Sequence, residues 1–84
     1  MTPSNAIDHI LAFLPNAEYR STIYVLPGEQ EDTWNVAIDD KGGDRIPLWR
    51  GLSEDPTSTL QQYITANPDQ QLRMITFPPA QRFP

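Results

Sequence analysis

The stretch Thr33-Trp34-Asn35-Val36-Ala37-Ile38-Asp39-Asp40-Lys41-Gly42-Gly43-Asp44-Arg45-Ile46-Pro47-Leu48-Trp49-Arg50 decides the fold. Its first seven residues alternate, Trp34, Val36 and Ile38 against Thr33, Asn35 and Ala37, which is the period of a strand with one buried face. The loop from Asp40 to Asp44 supplies glycines and small polar residues for the positive φ angles of a hairpin. Arg45 to Arg50 then returns as a strand with Ile46 and Leu48 inward. Regular alternation turns Arg45, Pro47 and Trp49 away from the core. Pro47 has no amide donor, so this strand belongs at a sheet edge.

Upstream, Tyr19 to Leu26 is rich in β-branched and aromatic residues. Ser21, Ile23 and Val25 fall on one face, and Thr22, Tyr24 and Leu26 on the other. Pro27-Gly28 is a turn pair, so three strands make an antiparallel meander. Before them, Thr2 to Leu14 predicts a helix: Thr2 caps, Pro3 suits the first position, and Ile7, Ile10, Leu11 and Leu14 form a core stripe. Pro15 and Asn16 stop it. Downstream, Pro56 to about Ala66 predicts a second helix, capped by Asp55 or Ser53, with Leu60, Tyr63 and Ile64 buried. Asn67-Pro68 ends that helix, and Gln71 to Phe77 reads as a last strand, apolar on both sides.

The expected fold is therefore α+β: helix, three-stranded antiparallel meander, helix, strand. A right-handed crossover through the second helix sets the last strand parallel to the first, giving a four-stranded sheet of order 3-2-1-4 with the helices on one face. Residues 1–77 are read as a single domain and 78–84 as a Pro-rich C-terminal tail, since so short a chain cannot divide its apolar residues between two cores. The other sheet face is expected to present Tyr24, Leu26, Asn35, Ala37, Pro47 and Trp49, a large apolar surface for a small protein.

Composition narrows the function. The 84 residues include no cysteine and one histidine, His9, which excludes disulfides, thiolate metal sites and multi-histidine sites. No cofactor and no metal is expected. The N-terminus lacks the basic region of a secretory signal and no apolar run reaches the roughly 18 residues that span a bilayer. The chain is read as cytoplasmic, with no membrane partner.

The net charge of −5 sits in the middle third: Glu29, Glu31, Asp32, Asp39, Asp40, Asp44, Glu54 and Asp55 stand there against Lys41, Arg45 and Arg50, while the flanks cancel. Such a field attracts basic proteins and repels phosphates. The order helix, three strands, helix is shared with double-stranded RNA-binding domains, but neither their basic motifs nor those of RNA-recognition motifs are present, and direct nucleic-acid binding is not expected. Full mimicry of DNA is not expected either. A hairpin about 20 Å long needs on the order of twelve acids to match duplex charge, more than this one carries.

Asp39 to Asp44 has carboxylates near glycines, yet Lys41 and Arg50 occupy positions where a calcium loop places oxygen ligands, so it reads as a solvated turn. Asp8 and His9 are helical neighbours about 100° apart and cannot act as an acid/base pair. The serines at 4, 21, 53 and 58 lack a nucleophile elbow or a partnered base. The chain is thus expected not to be an enzyme.

What is left is a small acidic protein-binding module, an inhibitor or adaptor that docks on a basic protein surface. Its binding residues are expected to be Glu29, Glu31, Asp32, Asp39, Asp40, Asp44, Tyr24, Trp49 and Arg45. In size and charge it is similar to phage-encoded inhibitors and toxin-immunity proteins, an analogy that no motif carries. The alternative is a structural or accessory subunit, or a homodimer, that pairs through the apolar sheet face.

Overall fold

Helix α1 (Pro3–Phe13) precedes strands β1 (Thr22–Pro27), β2 (Trp34–Asp39) and β3 (Arg45–Leu52); α2 (Thr57–Ala66) and β4 (Arg73–Thr76) follow. The structure is a computed structural model that describes residues 3–17, 20–39 and 42–77. Thr2, Tyr19, Asp40, Lys41 and the tail 78–84 lie outside the described residues. The sheet order is β3-β2-β1-β4. Its pairs are antiparallel except β1 with β4, which run parallel, as the sequence predicts.

Both helices cover the same sheet face because their apolar stripes complete one cluster. Ile7, Ile10 and Leu14 meet Ile23, Val25, Val36, Ile38, Leu52, Leu60 and Leu72, and Leu14, Ile23, Val36 and Leu60 have no exposed surface. Each such aliphatic side chain contributes about 1.5–3 kcal/mol by leaving water.

The breakers act locally. Pro15 sits in a 3-10 turn, Leu14–Asn16, that continues from α1. The Gln70 amide then donates to the Leu14 carbonyl at 3.0 Å and accepts from the Tyr63 hydroxyl at 2.8 Å, tying the end of the first helical segment to α2. Helix α2 starts at Thr57, one residue after Pro56, and the Asp55 carboxylate accepts from the Thr57 amide at 3.0 Å. That satisfies one of the donors a helix start leaves open. Strand β1 starts later than the composition suggests, because Arg20 takes φ +67 and cannot continue a strand. Gln71, at φ +53, delays β4 in the same way.

Strand β3 departs from regular alternation. Ala37 pairs with Pro47 and Val36 with Trp49, so one step on β2 is matched by two on β3; then Val36 to Trp34 is matched by Trp49 to Leu52. These are two β-bulges, each adding a residue to the edge strand. Gly51, at φ +75, sits in the second, where Asn35 Oδ1 accepts from its amide at 2.9 Å. The bulges correct one expectation. Trp49 lies opposite the fully buried Val36, packs against the core cluster and meets the His9 ring of α1 edge-on at 5.7 Å. It belongs to the helix side of the sheet and not to the open face. Leu48 is half-buried against the core as expected, whereas Ile46, on the same side, stays 39% exposed.

Candidate docking surface

The open face is built by strand parity from the residues opposite the core set. Tyr24 and Leu26 come from β1, Asn35, Ala37 and Asp39 from β2, Arg45 and Pro47 from β3, and Arg73, Ile75 and the following Phe77 from the β4 side. At its centre the Arg45 guanidinium lies 4.1 Å above the Tyr24 ring. To reach from β3 to β1 it crosses β2 where Ala37 offers only a methyl group, which is why Ala37 is 5% exposed on a face that no helix covers among the described residues. A cation over an aromatic face contributes about 0.5–1 kcal/mol at such a surface site. The β4 side is barer: Ile75 is 44% and Phe77 37% exposed.

A groove of about 350 Å³ runs beside the loop between β1 and β2, lined by Glu29, Gln30, Thr33, Asn35, Arg50 and Gly51. A second, of about 330 Å³, shares Glu29, Asn35 and Arg50 and extends over Leu26, Ala37 and Pro47. Together they form a trough of mixed charge along the β2–β3 half of the face. It offers hydrogen-bond donors and acceptors from Glu29, Gln30, Thr33, Asn35 and Arg50.

The acids do not form one patch. Glu29, Glu31 and Asp32 lie exposed in the loop from Gly28 to Thr33, and Glu54 and Asp55 are exposed at the same end of the sheet, after β3. Asp39 and Asp44 stand at the other end, about 17 Å away along the six residues of β2. The two groups therefore border the face from opposite ends. Asp39 is also partly committed to structure, because its Oδ1 accepts the Thr22 amide at 2.6 Å. Asp40 lies outside the described residues. Of the residues singled out from sequence, the structure brings Tyr24 and Arg45 together and places the acids around them. It also adds Ile75, Phe77, Arg73 and Arg50, which sequence alone does not assign to the surface. Period-two parity in the last strand was the available signal for the first three.

Among the described residues, no three acidic or histidine side chains converge to hold a metal ion, and no helix is long and apolar enough to cross a membrane. His9 is exposed on α1 and meets Trp49, not Asp8. Compared with known proteins, the chain matches no family model, no curated protein and no solved structure, so residues and geometry alone carry the functional reading.

Proposed function

We propose that this protein is a non-enzymatic binding module, an inhibitor or adaptor, that docks its open sheet face on another protein. The observation that carries the reading is a face that, among the described residues, no helix covers, with an aromatic-cation centre, Tyr24 under Arg45, and an apolar margin at Ile75 and Phe77. Tyrosine, arginine and exposed apolar groups are the residue types that dominate interface energetics. The acidic loops at both ends steer a partner with basic flanks onto that face, while Arg45 and Arg73 select a central apolar area bearing carbonyl or carboxylate acceptors. Such a partner is a protein and not a nucleic acid or a membrane, and the encounter takes place in the cytoplasm.

The test is affinity capture from a lysate of the source organism at low and high salt, with a Tyr24→Ser, Ile75→Ser variant beside the wild type. The expected result is a specific protein that the variant loses and that salt weakens. Equal retention by the variant, or affinity unchanged between about 50 mM and 500 mM salt, overturns the reading.

A further inference from the structure

The two edges of the sheet are unequal. Strand β3 carries Pro47 and two bulges, the devices by which natural sheets stop an edge from templating another strand. Strand β4, four residues long, carries neither a proline nor a bulge, and its protection is limited to its shortness and Arg73. The Arg73 amide donates to the Ser21 carbonyl at 3.1 Å and the Phe77 amide to the Val25 carbonyl at 2.9 Å. By the alternation of a parallel ladder, Met74 and Thr76 therefore turn their N–H and C=O groups away from β1. Among the described residues, no strand pairs with that side. The segment from Arg73 to Phe77 also has no acid, in a chain of net charge −5.

We propose that the occupant of this edge is a second copy of the chain, paired antiparallel through β4 about a two-fold axis at Ile75. This register is self-complementary. Met74 exchanges both backbone hydrogen bonds with Thr76 of the copy, and Thr76 does the same with Met74, which uses every outward group of the strand. On the open face, Ile75 meets its own counterpart, and each Arg73 lies opposite the other copy's Phe77, a cation facing an aromatic ring. The two sheets become one of eight strands. A four-residue contact is small beside a standard interface, so association is expected to be weak and to appear only at high protein concentration. The inference does not rest on the docking reading, although Ile75, Phe77 and Arg73 serve both: a monomer leaves that reading standing, and a dimer does not establish it.

Sedimentation of the full chain across a dilution series tests it. The wild type is expected to shift from monomer to dimer with concentration. Ile75→Glu sets two carboxylates against each other on the axis and abolishes the dimer, whereas Phe77→Glu faces Arg73 of the copy and retains it, now weakened by salt. Both positions are exposed, so neither variant loses core. Thr76→Pro removes only an outward donor and weakens association by about tenfold or more. A wild type that stays monomeric to about 1 mM overturns the proposal. So does equal loss in the two glutamate variants, or a dimer undiminished in Thr76→Pro.

Discussion

Gly51 takes a positive φ, +75, and a Cβ built there has nothing within 4 Å. The cost of Gly51→Ala is therefore purely backbone, about 1–2 kcal/mol, read as a lower urea midpoint with an unchanged slope. Gly28 presents the contrary case. Its amide donates to the Thr33 carbonyl at 2.8 Å, and a Cβ there collides with the Thr33 hydroxyl oxygen, so the problem is space. The role of Gly51 was not legible in the sequence. An Arg-Gly-Leu at the end of a strand reads equally well as the start of a loop, and only the pairing of Leu52 with Trp34 shows that the strand runs on. The Tyr24 and Arg45 contact was half legible: parity puts both on one face, but the reach across Ala37 is visible only in three dimensions.

At the scale of the element, β3 shows why alternation can mislead. Each bulge admits an extra residue and reverses the parity of everything beyond it. Ile46 and Pro47 precede the first bulge and face as alternation predicts, whereas Trp49 lies beyond it and changes sides. Trp49→Ala is therefore expected to act as a core truncation, costing about 2–3 kcal/mol in chemical denaturation, somewhat less than the loss of a fully buried tryptophan. A tryptophan on the open face would cost well under that, so the same measurement checks the register. The helices were far more legible. Ile7, Ile10 and Leu14 hold to the 3.6-residue period, Leu60 is buried with Tyr63 and Ile64 half-buried on its side of α2, and Pro15 and Asn67-Pro68 punctuate where their chemistry requires.

For the whole molecule, charge is distributed by topology. An antiparallel meander puts successive loops at opposite ends of its strands, so Glu29, Glu31 and Asp32 are separated from Asp44 by the length of β2. Replacing the first group together, Glu29→Gln, Glu31→Gln and Asp32→Asn, is expected to leave the melting temperature within a few degrees. All three are exposed, and asparagine tolerates the φ of +58 at position 32. The same variant is expected to flatten the salt dependence of partner association, measured as on-rates at several ionic strengths. The sequence by itself determined the element order, the strand pairing and the 3-2-1-4 sheet, because periodicity, caps and breakers are local properties of the chain. Only the tertiary structure decided that Trp49 seals the helix side, that Ile75 and Phe77 are left exposed, and that β4 is the edge with neither proline nor bulge. Those outcomes depend on ladder register accumulated through bulges and on which face the helices cover, both set by contacts between residues far apart in the chain.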